Sequence, residues 1–492
     1  MRSRLKKRLR PEPSDSGAAL VWAAGSLVAL LAFSALMVDL AWIYLNASRL
    51  QNAADAAALA GVVDVPGFMT LAQSDAEDAA AANSFPVGGG LNGNNTVAIA
   101  LQNDDSLQVT LHTEVRTFFL RAIGFSQFDI TRASTAEYIK PVALGSPDNQ
   151  FGGPSQDFWA AINGRYTDRH QGDPYATSCI DDNTTTTCDS TNPWYRDPAM
   201  GTGSGYYYAV EIAPGATGLQ VQFYDPGHYL RSGGRSGGSE TGDTSWLWPS
   251  SPNRGVNVKA NLFKPDTTPG DPTDNTDLAC TKTWGTYVAP LSSSDRQAGG
   301  YERWVDLCLS AIPNPIPGVW VLQLPSPLWE GSTKFAMRAT TSSADTPKLY
   351  GINDMSIHVN KASGTPRPWL AEIIPEHAGK TLQVDIWDIG ESNTMTLKIL
   401  DPDNNVVDCT WTATNGESDT SLGACTINVG GRRFNAEWLY LTIPIPDDYT
   451  CDPDQTYDCW WKVDISNMSN PTDRTTWSAR VVGNPLQLIP NP

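Results

Sequence analysis

Residues 17–38 read GAALVWAAGSLVALLAFSALMV and hold no charged side chain in 22 positions. At about 1.5 Å per residue, a helix of that length reaches roughly 33 Å, enough to cross the hydrocarbon core of a bilayer. Asp15 and Ser16 precede it where a helix N-cap is useful. The helical pattern continues past Asp39 as LAWIYLNASRLQNAADAAALAG, with Gly61 as its first stop. A second Ala-rich helix is predicted over 71–84, ended by Pro86 and the glycines at 88–90. Apolar and polar residues then alternate over 96–101 and 107–113 around Asn103, Asp104 and Asp105, the signature of a hairpin. The stretch 115–123 fits a short helix stopping at Gly124, and 128–139 alternates again like a strand. Residues 62–140 are therefore expected to form a small α+β module.

Beyond Pro141 helical periodicity ends, and Gly, Pro, Thr, Asn, Asp and Trp punctuate short β-type runs. An internal repeat runs through them. AVEIAPGATGLQVQFYDPG at 209–227 parallels AEIIPEHAGKTLQVDIWDIG at 371–390, and VKANLFKPD at 258–266 parallels MTLKILDPD at 395–403. Each copy continues with a Cys (Cys280, Cys409), a Trp-bearing strand (Trp304, Trp438), an aromatic strand (318–326, 459–466) and a closing block (334–338, 476–480). Alternating strands need a second sheet to cover their apolar faces, so each copy is read as an antiparallel β-sandwich, jelly-roll-like. The expected organisation is multi-domain: a basic tip (1–16), a transmembrane helix and stalk (17–61), the α+β module (62–140) and two repeated all-β sandwiches (141–362 and 363–492).

Charge gives this plan a direction. The first ten positions hold six basic and no acidic residues, whereas the remaining 482 carry 28 basic against 53 acidic groups. A basic flank favours the cytoplasmic side, which puts the N-terminus inside and the bulk of the chain outside the cell membrane. A cleaved signal peptide shares the basic start, but this apolar run is too long for one and passes directly into more helix. An acidic body also excludes nucleic acid as a partner bound through its phosphates. Asp39, at the outer end of the span, is read as a boundary residue reaching headgroups or water. The Ala-rich stalk either packs against another membrane helix or is solvated.

The apolar run ended by Asp39, followed by Arg49, Leu50, Gln51, Asn52 and the string AADAAALAG with Asp55 and Gly61, resembles the N-terminal region of the TadE/TadG-like proteins of Flp (Tad) pilus assembly. The close resemblance covers 17–62. A looser one reaches Tyr138 and includes Thr117, Phe118 and Phe119. It implies a membrane-anchored, extracytoplasmic, non-enzymatic accessory, with the bilayer and other pilus-assembly membrane proteins or pilin as partners. Prepilin-like members keep a Glu five residues after a processed Gly; five after Gly17 stands Trp22, so an unprocessed, TadG-like N-terminus is expected.

All eight cysteines lie between Cys179 and Cys459. In an exported body they are expected to form disulfides. Nearest-neighbour pairing joins Cys179 with Cys188, Cys280 with Cys308, Cys409 with Cys425 and Cys451 with Cys459, although spacing alone leaves connectivity open. No CxxC is present to suggest a redox or zinc site.

Catalytic patterns are missing or out of context. His112, His170, His228, His358 and His377 are far apart in sequence, and the GxSxG match at 234–238 sits in a Gly-Ser run without the strand–helix elbow that exposes a nucleophile. No catalytic residue and no resident cofactor is expected. Asp401, Asp403, Asn405 and Asp408 alternate as calcium ligands would, but the same residues suit a tight turn. Trp329, Trp411 and Trp477 are read as sandwich core, while Trp246 and Trp248, beside the Gly-Ser run, are the candidate surface aromatics for stacking on a glycan. A surface adhesin or carbohydrate-binding protein using its sandwiches is the alternative to the pilus-assembly reading.

Overall fold

A computed structural model describes residues 16–65, 69–103, 106–139, 141–153, 156–164, 169–175, 178–181, 186–189, 205–230, 257–266, 271–288, 303–325, 332–360, 364–390, 392–453, 455–466, 472–483 and 486–489. They fall into two compact units, one built from the N-terminal part to Tyr138 plus the last strand, the other from the chain between 139 and 485.

In the first unit, helix α1 (Ser16–Gly61) is continuous over 46 residues, about 69 Å. It is the one helix among the described residues long and apolar enough to cross a membrane. Its two halves differ sharply. From 19 to 34 every residue is exposed. From Asp39 onward one face is buried, carrying Ala47, Leu50, Ala53, Ala54, Ala57 and Ala58. That face packs on α2 (Met69–Ala82) and on strands β2 (Ser106–Arg116) and β3 (Gln127–Tyr138). The small side chains of the stalk therefore serve the chain's own fold, where the sequence had suggested another membrane helix or water.

The predicted hairpin pairs β1 (Thr96–Asn103) with β2, running from Thr96↔His112 to Asn103↔Ser106. β2 pairs in turn with β3, from Ser106↔Glu137 to Arg116↔Gln127. The expected short helix over 115–123 is a correction. Val115 and Arg116 still belong to β2, held opposite Phe128 and Gln127, and only Leu120–Ile123 coils, as a 3₁₀ turn ended by Gly124 at φ 102°. Antiparallel pairing overrode a local apolar pattern. Leu486–Ile489 adds the fourth strand, antiparallel to β3 from Leu486↔Tyr138 to Ile489↔Thr135.

Among its described residues the second unit is all-β and antiparallel apart from one small parallel pair, His228–Leu230 with Thr286–Val288. The repeated sequence blocks fall on strands with repeated neighbours. Tyr206–Ile212 lies beside Gly318–Leu324, which lies beside Val258–Phe263; Trp369–Glu372, Trp460–Ser466 and Thr396–Leu400 take the same order. On the facing side, Gln220–Tyr224 sits between Trp304–Asp306 and Ser332–Thr340, as Thr381–Trp387 sits between Trp438–Pro444 and Thr472–Val482. These facing strands join in one eleven-stranded sheet. The seam is made by Asp354–Asn360, which pairs with Thr472–Val482 from Asp354↔Ser478 to Asn360↔Thr472 and on its other edge with Phe158–Asn163. The apolar interior is continuous across the seam, from Phe223 and Phe335 through Ile357 to Ile386 and Trp477. Trp477 is fully buried and Trp411 packs against the same core.

Candidate functional site

The motif residues of the N-terminal unit carry contacts. Leu50 is fully buried. Gln51 donates from Nε2 to Asp55 Oδ1 at 2.8 Å and to the Ala133 carbonyl at 3.3 Å, tying α1 to β3. Asn52 is exposed. At Gly61 a Cβ would meet the Ala72 carbonyl at 2.7 Å and Leu107 Cδ2 at 2.9 Å, so hydrogen is the side chain that lets α1 close on α2.

Asp39 departs from the boundary role expected of it. Its carboxylate is fully buried and faces protein amides, not headgroups or water. Oδ1 accepts the Phe118 N–H at 2.7 Å, and Oδ2 accepts those of Phe119 and Leu120 at 2.9 and 2.6 Å. These are the free donors at the start of the 3₁₀ turn, and an ionised carboxylate satisfies three of them at once. Trp42, nearly one helical turn on, packs its ring 5.6 Å from that of Phe118.

Beside this pin a groove of about 760 Å³ opens between α1 and the hairpin, lined by Trp42, Arg49, Asn83, Asn95, Glu114 and Arg116. His112, Glu114 and Asp129 bring three ligand-type atoms within 4.8 Å of one another on the neighbouring strands. Glu114 there takes hydrogen bonds from Asn92, Asn94 and Gln127, a surface polar network.

In the β unit a cleft of about 420 Å³ is lined by Asp148, Gln150, Gln156, Asp157, Trp369 and Tyr457, together with Asn149 and Arg367. Trp369 and Tyr457 stack with centroids 5.4 Å apart and planes 7° from parallel. Lys462 Nζ lies 4.8 Å from the Trp369 ring centre. The polar groups hold one another in place. Gln156 donates to the Gln150 carbonyl at 2.8 Å and accepts the Gly152 N–H at 2.6 Å, Asp157 accepts the Arg367 N–H at 3.3 Å, and Arg367 Nε meets Asp464 at 2.8 Å. Tyr457 donates its hydroxyl to Asp148 at 3.3 Å, and the Asp148 charge pushes the phenol pKa up. An aromatic wall beside fixed carboxylates and amides offers an apolar face and hydrogen-bonding groups to a polyhydroxylated ligand. Sequence reasoning did not single out these residues. Trp369 follows the turn-rich stretch between the repeats, and no local pattern links it to Tyr457.

The other sequence candidates are placed as follows. Asp401 accepts the Asn405 N–H at 2.8 Å and the Asn405 side-chain amide at 3.1 Å, and Asn404 takes a positive φ of 69°. That is the local bonding of a turn; Asp403 is exposed in the same turn, and Asp408 is exposed at the start of the following strand, opposite Ala424. Disulfides join Cys280 to Cys308, Cys409 to Cys425 and Cys451 to Cys459. The backbone registers Cys179 opposite Cys188 on paired strands, while their side chains lie outside the described residues. Trp246, Trp248, Trp329 and the GxSxG match also lie outside them.

Residues 17–64 match a family model described as putative Flp pilus-assembly TadE/G-like. No curated protein matches the chain. Among solved structures, the N-terminal CBM22-1–CBM22-2 tandem domain of Paenibacillus barcinonensis Xyn10C is similar at 9% identity and TM-score 0.14, covering 80% of this chain and 92% of that one. The VP2 subviral particle of infectious bursal disease virus is similar at 11% identity and TM-score 0.07, covering 72% and 82%. Likenesses so slight carry neither a fold nor a function to this chain.

Proposed function

We propose that this chain is a non-enzymatic, single-pass membrane component of a Flp/Tad-type pilus-assembly or surface-attachment system. On this reading its N-terminus is cytoplasmic and the α+β module and two sandwich copies (141–362 and 363–492) are extracytoplasmic. The observation that carries it is the family match over 17–64, which covers the apolar half of α1 together with the motif that packs its second half. The disulfides in the acidic body fit an oxidising compartment. Its partners are the bilayer and other pilus-assembly membrane proteins or pilin. Deleting the gene should reduce piliation or surface attachment; unchanged piliation and adhesion would overturn the reading.

The cleft at Trp369 and Tyr457 favours a second reading, a surface glycan-binding protein that shares the anchor. The full chain, purified in detergent, should then bind saturably on a glycan array and lose that binding on Trp369→Ala. Absence of saturable binding removes this reading and leaves the first untouched.

A further inference from the structure

The turn between β2 and β3, with the start of β3, has the wrong composition for a surface that faces water. Phe118, Phe119, Ile123, Phe125 and Phe128 are 50, 52, 70, 56 and 36% exposed. Only Arg121 is charged in the run FFLRAIGF at 118–125. Apolar side chains this contiguous at a surface mark a contact with a membrane or another protein.

The height of this loop is fixed by bonds already described. The amides of Phe118, Phe119 and Leu120 donate to Asp39, the residue that follows the last position of the uncharged run. An apolar run of roughly 33 Å fills the hydrocarbon core, so a loop fastened to its end stands at the headgroup boundary. The exposed apolar surface of α1 continues around that level through Met37, Val38, Leu40 and Tyr44. Trp42 and Tyr44 sit where interfacial aromatic belts form, and exposed Arg121 is placed to reach lipid phosphate while its neighbours face the acyl chains.

We propose that the 118–128 loop is a second, monotopic membrane contact. It seats its aromatic side chains in the leaflet on the module's side, beside the span, and Asp39 sets its depth. The proposal rests on the anchor reading of α1 and commits to lipid as the occupant, because the exposed loop surface is continuous with that of the span.

The test is nitroxide accessibility in the full chain reconstituted into phosphatidylcholine bilayers, with one label at a time at Leu27→Cys, Ile123→Cys or Gln102→Cys. Each site is exposed, so the substitutions leave packing intact. Labels at 27 and 123 should collide preferentially with oxygen, which partitions into lipid, and the label at 102 with a water-soluble nickel chelate. A label at 27 in lipid with that at 123 in water overturns the loop contact and leaves the anchor standing. Both labels in water overturn the anchor, and the loop contact with it. A label at 123 shielded from both reagents means that a second copy of the chain covers the loop, and it overturns the proposal too.

Discussion

The shortest of the three bonds at Asp39 comes from the backbone N–H of Leu120, 2.6 Å from Oδ2, across 81 residues of sequence. One carboxylate thereby fastens the aromatic turn to the helix. Asp39→Asn keeps the side chain's size but puts an NH₂ group against N–H donors. The Phe118, Phe119 and Leu120 amides should then exchange with solvent deuterium at least about tenfold faster, the scale of one lost charge-assisted bond. Protection over the buried part of α1 should persist.

Gly61→Ala sets two effects against each other. Alanine in a helix gains about 1 kcal/mol over glycine from propensity. Its Cβ would stand 2.7 Å from the Ala72 carbonyl, a backbone atom that yields only if α2 moves. Overpacking of this kind costs about 1–3 kcal/mol. The substitution should destabilise the N-terminal unit, seen as faster exchange in α2, whereas Gly25, with open space around it and ordinary helical backbone, would show no such loss.

The disulfide Cys409–Cys425 closes a loop with a sequence separation of 16. Loop-closure entropy puts its contribution at about 3 kcal/mol. The double variant Cys409→Ser, Cys425→Ser should lower the denaturation midpoint of the β unit accordingly. Reducing agent should lower it further, through the remaining bridges Cys280–Cys308 and Cys451–Cys459.

His377 gives the β unit an acid-sensitive element. Its Nδ1 accepts the Ile374 N–H at 3.2 Å, so that nitrogen must be unprotonated. Burial, with Lys380 nearby, lowers the imidazole pKa to about 4. Unfolded histidine takes up its proton near pH 6.5. Between those values the unfolded chain binds more protons, so stability falls as pH drops and levels off once both states are protonated. The loss is on the order of 3 kcal/mol by pH 4. His377→Asn, whose carbonyl oxygen can accept the same N–H, should flatten the denaturation midpoint between pH 6.5 and 4.

What could be read in advance follows from the range of the interactions. α1 and α2 are legible because their stops and apolar spacing are local, and the hairpin because two alternating runs flank a polar turn. The 115–123 stretch misleads for a physical reason. VRTFFLRAI has apolar residues at helical spacing, but Val115 pairs across the hairpin opposite Phe128, and Phe118, Phe119 and Ile123 are exposed. Leu50 and Gly61 were recognisable as motif residues without any sign of what they pack against. The Trp369–Tyr457 cleft and the Asp39 pin join residues far apart in sequence, which no window along the chain registers. The ordered repeat blocks do foreshadow the strand neighbours. The seam between Asp354–Asn360 and Thr472–Val482 depends on strand register, which no block encodes.

The last short strand, Leu486–Ile489, lies antiparallel to β3 with Leu486 opposite Tyr138. The β unit departs just after Tyr138 and returns just before Leu486, so it is an insertion closed at its base by a clasp. A single proteolytic cut within it would leave both fragments attached to the helix-bearing unit, one covalently and the other through four residues of ladder. Mechanical load on the insertion would enter two neighbouring strands at their paired ends, Tyr138 and Leu486. On the proposed surface-anchored reading, that makes retention after damage a property of the fold's topology, independent of how stable the sandwiches themselves are.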